Sequence, residues 1–323
     1  MSRPVPTRRA ASYGLALAFF AALVSGVSVF VNSYGVKRVP NPTVYTTAKN
    51  LVAAVILLGL LVVASRARPG EGWSRPSTRR EWTGLAAVAL LGGSIPFVLF
   101  FEGIARASST DAQFVHKTLV VWVALLAVPI LGERVGGLHV AAVALLVVGQ
   151  AEIVGGIPTI GESGRGEAMI LAATLLWSVE VVVAKRLLTS VSPATLAAAR
   201  MAAGSLVLVA WLGATGRIDD LVGLSASGWG WAALTGTLLT LYVATWYSAL
   251  ARAQAVDVTA VLMAAVLVTF ALDSVVNGRA LAPQRTGLLV ILAGSAVAGT
   301  AAWITARRAA PAEVGSAPGA ASP

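Results

Sequence analysis

Long apolar stretches along this chain alternate with short breaks rich in glycine, proline and charge. The apolar stretches cover residues 12–34, 43–64, 82–104, 109–130, 136–154, 168–188, 193–214, 228–250, 255–276 and 286–306. Each is about 20 residues long, and at 1.5 Å per residue a helix of that length crosses the ~30 Å hydrocarbon core of a bilayer. The pattern predicts an all-α integral membrane protein with ten transmembrane helices. The first stretch follows "MSRPVPTRRA" directly. It is longer than a signal h-region and no small-x-small cleavage site closes it, so it reads as a retained first helix.

Composition agrees: the 323 residues are 57% hydrophobic and only 12% charged, against about a quarter charged in globular domains. With no cysteine, disulfides and thiolate metal sites are excluded. The net charge of +10 does not point to a nucleic-acid partner, because the basic residues are scattered through loops and termini instead of forming one patch. They read instead as orientation signals. Of the 24 Lys and Arg, 14 fall on the side that holds the N-terminus, 7 on the opposite side, and Lys49, Lys117 and Arg200 inside the spans. Basic loops stay inside, so both termini are expected in the cytoplasm, with the chain spanning the cell (plasma) membrane. Six of the nine Trp lie near segment ends, as interfacial anchors do.

The chain also repeats itself. "NPTVYTTAK" (41–49) aligns with "SPATLAAAR" (192–200), which sets Pro42 on Pro193 and Lys49 on Arg200. "IARASSTDA" (104–112) aligns with "LARAQAVDV" (250–258), and "GERVGGLHVAAVALLVVG" (132–149) with "NGRALAPQRTGLLVILAG" (277–294). The expected organisation is a tail (1–11), a first five-helix repeat (12–154), a linker (155–167), a second five-helix repeat (168–306) and a C-terminal tail (307–323). Five helices is an odd number, so the second half must enter the membrane from the opposite side. Such inverted repeats characterise secondary transporters, whose solute site lies near the midplane between the halves.

The two Pro-to-cation helix starts and the passage "ILGERVGGLHVAAVALLVVG" (130–149) resemble the EamA-type ten-helix members of the drug/metabolite transporter superfamily. The resemblance spans roughly residues 12 to 306. Two places depart from it: the second half reads Asn277-Gly278-Arg279, without the glutamate, and helix 1 carries Ser25-Gly26 where relatives often have Trp-Gly. The resemblance implies export or exchange of a small metabolite without ATP, and no phosphate-binding G-x-x-x-x-G-K-[ST] loop is present.

An ionisable side chain within a span costs about 2.5–3.5 kcal/mol on insertion scales, so each is a functional candidate. Counted from the helix ends at 1.5 Å per residue, Lys49 lies about 9 Å deep, Lys117 about 12 Å, His116 slightly shallower and Glu102 about 5 Å, all from the outer side. Arg200 and Glu180 lie about 9 and 12 Å from the inner side. The expected arrangement is an outer cluster of Lys49, Glu102, His116 and Lys117 and an inner pair of Glu180 and Arg200, flanking a midplane cavity. Snorkelling to the nearest interface is the competing reading for Lys49 and Arg200. Adjacent on one helix, His116 and Lys117 point about 100° apart, so at least one should face the cavity. If His116 does, it is a candidate proton-coupling group; a plain hydrogen bond to Glu102 is the alternative. Trp122, Trp177 and Trp246 lie away from segment ends and are candidates for lining the cavity or for packing. Asp111 and Asp257 are expected to cap helices 4 and 9, Glu152 and His139 to sit at interfaces, and Asp273 has no assigned role. Gly92, Gly93 and Pro96 are expected to kink helix 3.

The leading function is secondary active transport of a small organic solute by alternating access, with an anionic or zwitterionic solute modestly favoured and proton coupling open. The alternatives are an intramembrane lipid-modifying enzyme or a non-transporting sensor or assembly protein. No H-E-x-x-H occurs and neither membrane histidine has an i+4 metal-ligand partner, so the chain reads as a non-enzyme with no cofactor and no metal. Its partners are the small solute and the lipid bilayer, with a homodimer left open.

Overall fold

The structure is a computed structural model. It describes residues 8–39, 41–67, 75–104, 106–107, 109–156 and 164–308. Residues 1–7 and 309–323 of the expected tails, 157–163 of the linker, Arg68 and the Asp111 side chain lie outside the described residues.

All the regular structure among these residues is helical. The first half holds α1 (Arg8–Gly35), α2 (Pro42–Ala67), α3 (Arg79–Gly93), α4 (Ile95–Ile104), α5 (Ser109–Lys117), α6 (Leu119–Leu131) and α7 (Gly137–Val154). The second holds α8 (Arg165–Leu187), α9 (Pro193–Ala214), a short α10 (Ile218–Val222), α11 (Ala226–Arg252), α12 (Ala255–Leu262), α13 (Ala265–Asn277) and α14 (Arg285–Arg308). Nine spans among the described residues are long and apolar enough to cross a membrane. At 27 residues α11 is equally long, but Gly228, Gly230, Thr235, Gly236, Thr237 and Thr240 make it less apolar.

Three expected helices are interrupted, the third near the expected kink at Gly92, Gly93 and Pro96 and the fourth and ninth where the sequence pattern reads as continuous. Span 3 breaks at Ser94, whose backbone leaves the helical region (φ −140°, ψ −72°) and whose hydroxyl donates back to Ala89 O at 3.1 Å. Span 4 breaks at Thr118, where the hydroxyl donates to Val115 O at 2.6 Å in competition with the helical ladder. Span 9 breaks at Met263 and Ala264, whose amides bond three residues back, to Ala260 O and Val261 O.

The exterior is apolar: Val55, Leu125, Leu206 and Val275 are all more than half exposed, as a lipid-facing surface requires. The interior is built on small residues that let backbones approach, as between helices in lipid generally. A Cβ at Gly14 of α1 would lie 2.7 Å from Arg252 at the α11–α12 corner, and one at Gly166 of α8 would lie 2.7 Å from Ala107 N at the α4–α5 corner. These are matching contacts in the two halves, and they align Arg106 with Arg252 as the sequence repeat does. The other packing follows suit. α1 packs on α11, α12 and α13 while α8 packs on α3, α4, α5 and α6, and the repeat-related pairs α2 with α9 and α7 with α14 pack on each other.

The molecule has two ends. At the near end, where α1 starts, Lys185 of α8 donates to Leu250 O and Ala253 O at the end of α11, and Gly84 of α3 abuts Leu187. At the far end, Tyr34 of α1 donates to Asn277 Oδ1 of α13 at 2.7 Å, and Gly103 of α4 abuts Ile170 of α8.

Candidate functional site

The break after α3 creates the centre of the site. Pro96 has no N–H, so the carbonyl four residues earlier, Gly92 O, has no helical donor. Two side chains of the other half take it instead: Trp177 Nε1 of α8 at 3.1 Å and Arg200 Nη2 of α9 at 2.9 Å. Gly92 must be glycine here, since a Cβ would lie 2.5 Å from Glu180 Cγ and 2.8 Å from Arg200 Nε. At the next residue, Gly93 packs against Gly204 of α9. Sequence reasoning reads the glycine pair and Pro96 as a kink. The structure also makes them an acceptor.

The expected inner pair is brought together, but not as a direct salt bridge. Glu180 is 2% exposed and accepts from Tyr247 Oη of α11 at 2.5 Å. Arg200 lies over the ring of the same Tyr247, 5.9 Å from its centroid. Tyr247 and Gly92 thus bridge acid and base. Trp246 is buried and stacks on Tyr242 at 6.1 Å.

The expected outer cluster does not assemble. Glu102, near the far end, is partly solvated and pairs with Arg106 Nη1 at 2.7 Å, with Arg217 at 3.9 Å. Surface cations satisfy it before any buried one can. His116 makes no bond to Glu102; its ring sits between Phe100 (4.9 Å) and Trp177 (5.1 Å), and its buried Nδ1 has no partner among the described residues. Lys117, on the last turn of α5, is in no ion pair among the described residues. Trp122 Nε1 donates to Thr118 Oγ1 at 3.0 Å, which ties it to the break in span 4.

Lys49 turns towards α1 within the protein. Its ammonium donates to Asn32 Oδ1 of α1 at 3.3 Å and lies 5.8 Å from the centre of the Tyr45 ring. Tyr45 Oη lies 3.1 Å from the same Asn32 oxygen and 2.9 Å from Thr235 Oγ1 of α11. Lys49, Asn32, Tyr45, Val36, Phe101 and Ile104 line a cavity of about 310 Å³.

At the near end a second polar group appears that the sequence did not assign. Glu133, in the turn between α6 and α7, accepts from Ala255 N at 2.6 Å and Val256 N at 3.0 Å. It caps α12 from the other half of the chain, in place of the cap expected from Asp257. Burial pushes the Glu133 carboxyl above its ordinary 4.5, against the opposing pull of its two backbone N–H groups and of Lys185. Asp257 instead bonds His139 Nε2 at 3.0 Å, and both are buried within the protein. Glu152 is exposed as expected, and Asp273 pairs with Arg279 at 2.9 Å on the surface. Tyr247, Tyr45, Asn32 and Glu133 escape sequence reasoning because each acts across helices that only the fold makes neighbours. For Glu133, the signal is the G-E-R turn itself.

No curated protein matches the chain. A solved crystal structure, 21% identical, superposes with a TM-score of 0.72 over 92% of this chain and 98% of its own, which establishes a shared fold. The model of the EamA-like transporter family matches residues 12–154 and 164–300, most of both halves, and this chain belongs to that family.

Proposed function

We propose that the protein is a secondary active transporter that exports or exchanges a small organic solute by alternating access. The observation that carries this reading is the reciprocal packing of the two halves: Gly14 on the Arg252 corner at the near end, Gly166 on the Ala107 corner at the far end. α1 therefore starts at one end and its counterpart α8 at the other, which supports inverted five-helix repeats with α11 as the tenth span. Gly149 meets Ile291 and Gly287 meets Ile153, so the repeat-related α7 and α14 run antiparallel, as inversion demands. Interrupted spans at a buried polar centre are what solute and ion sites in such transporters are built from.

Alternating access requires one end sealed while the other opens. Glu133 and the His139–Asp257 bond tie the halves together at the near end, while the cavity at Lys49 lies towards the far end. With the near end cytoplasmic, as the Lys/Arg bias indicates, this is an outward-facing arrangement in the plasma membrane. His116 and Glu180 are the two candidates for proton coupling. The test is solute counterflow in proteoliposomes across amino acids, organic acids, sugars and nucleosides, with its pH profile in His116→Ala and Glu180→Gln. Saturable counterflow is expected; binding with no counterflow of any solute would identify a sensor instead.

A further inference from the structure

Lys49 and Arg200 occupy the same place in the two halves. Both stand seven residues after the proline that starts their helix. A Cβ at Gly93 would lie 2.5 Å from Arg200 O, and one at Gly236 would lie 2.7 Å from Lys49 O. One carries its counter-ion within the protein: Glu180 and Arg200 both border Gly92 and share Tyr247. The offset of 152 residues that relates Gly14 to Gly166 carries Glu180 onto Ser28. Ser28 sits one turn below Asn32 and accepts from its amide at 3.1 Å, so it faces the Lys49 site but brings no charge. Among the described residues, no carboxylate lies within ion-pair distance of Lys49, and its hydrogen bond goes to the neutral Asn32 oxygen.

An ammonium held away from water with no anion is costly. Here it borders a cavity of about 310 Å³ whose other walls include Val36, Phe101 and Ile104, at the small end of the range for ligand pockets. A single cation calls for a single negative charge, because a dianion would leave one charge uncompensated. Apolar walls call for an apolar body. We propose that this cavity binds a monocarboxylate with a small apolar body, its carboxylate taking beside Lys49 the place that Glu180 holds beside Arg200. Tyr45 Oη donates to the same Asn32 oxygen that accepts from Lys49, which fixes the ammonium at the cavity wall. The proposal rests on the transporter reading only for its purpose, since the site is defined by binding alone.

The test uses the purified full chain and two matched probe pairs, phenylacetate with phenylacetamide and 4-methylvalerate with 4-methylvaleramide, followed by thermal shift and calorimetric titration. On the unmodified protein, at least one acid is expected to bind tenfold or more tightly than its amide. Equal binding of acid and amide, or no binding of either acid, overturns the proposal without needing any variant. Lys49→Gln is expected to remove the acid preference and Lys49→Arg to keep part of it. Ser28→Glu supplies the missing counter-ion from within and is expected to abolish acid binding while leaving the protein folded. Acid binding undiminished in Lys49→Gln overturns the site. Counterflow of radiolabelled phenylacetate separates the two readings: an acid-selective site without flux removes the transporter, whereas flux unaffected by Lys49→Gln removes the site.

Discussion

The two halves of this chain meet the same electrostatic problem with different answers. In the second half, Arg200 is enclosed: a carboxylate, a tyrosine ring and a freed carbonyl surround it. In the first half, Lys49 meets an asparagine, itself bonded to Ser28, where an acid would be, and a cavity lies beside it. The turns after the fourth span differ in the opposite sense. The first-half turn carries Glu133, which reaches across to cap α12, while the second-half turn reads Asn277-Gly278-Arg279 and stays near the surface. Repeat-related helices thus place the enclosed Arg200 and Glu133 towards one end and the uncompensated Lys49 towards the other. The repeat diverges in its charges and in its third helix, which is broken at Ser94 in the first half and continuous as α11 in the second.

The contrast breaks most strongly at Glu180. Replacing it by Leu leaves Arg200 buried without its acid and Tyr247 without its acceptor. A loss of about 3–5 kcal/mol is expected, the scale for orphaning a buried charge, read as a large drop in thermal midpoint in detergent. A midpoint unchanged from the parent would mean that the Arg200 site does not rely on the acid. Gly92→Ala comes next, because the added methyl must displace Glu180 or Arg200. Overpacking of this kind costs about 1–3 kcal/mol. Gly59→Ala, at a position with open space around it, provides the control that should not lower the midpoint.

Glu133→Gln is expected to have a smaller effect whose pH dependence identifies it. Because burial raises the Glu133 pKa above 4.5, the folded state holds its proton more tightly than the unfolded state. Its contribution is fully present below 4.5 and is lost as pH rises through the higher folded value. The parent should therefore lose stability as pH climbs above 4.5, and Glu133→Gln, which stays neutral, should show a flatter profile. Parallel profiles would deny that this carboxyl is perturbed. The smallest change is expected from Glu102→Gln, since a partly solvated pair with Arg106 is worth about 0–1 kcal/mol. A midpoint loss beyond that range would place Glu102 in the buried network after all.

Much of the fold is legible in the residue order. Stretches of bilayer length with few charges leave the backbone no choice but helix, and the Pro-to-cation starts at Pro42 and Pro193 expose the duplication. The candidate site is legible only in part. Lys49, Glu180, Arg200, His116 and Trp177 stand out because charge and aromatic groups within a span are rare, and all five lie at or beside the polar centre or its cavity. Their partners do not stand out: Tyr247, Tyr45 and Asn32 look like ordinary helix residues. Glu102 reads as a second acid within a span beside Glu180, yet it is claimed by Arg106 one turn away.

Composition and spacing alone determined that this protein crosses a membrane in two related sets of helices, because the cost of burying backbone in lipid is independent of which helices become neighbours. The tertiary structure decided which charge meets which partner. A side chain's depth follows from its position in the chain, but its direction turns by about 100° with each residue. That direction acquires meaning only once breaks such as those at Ser94 and Thr118 have set the rotation of each helix against the other half.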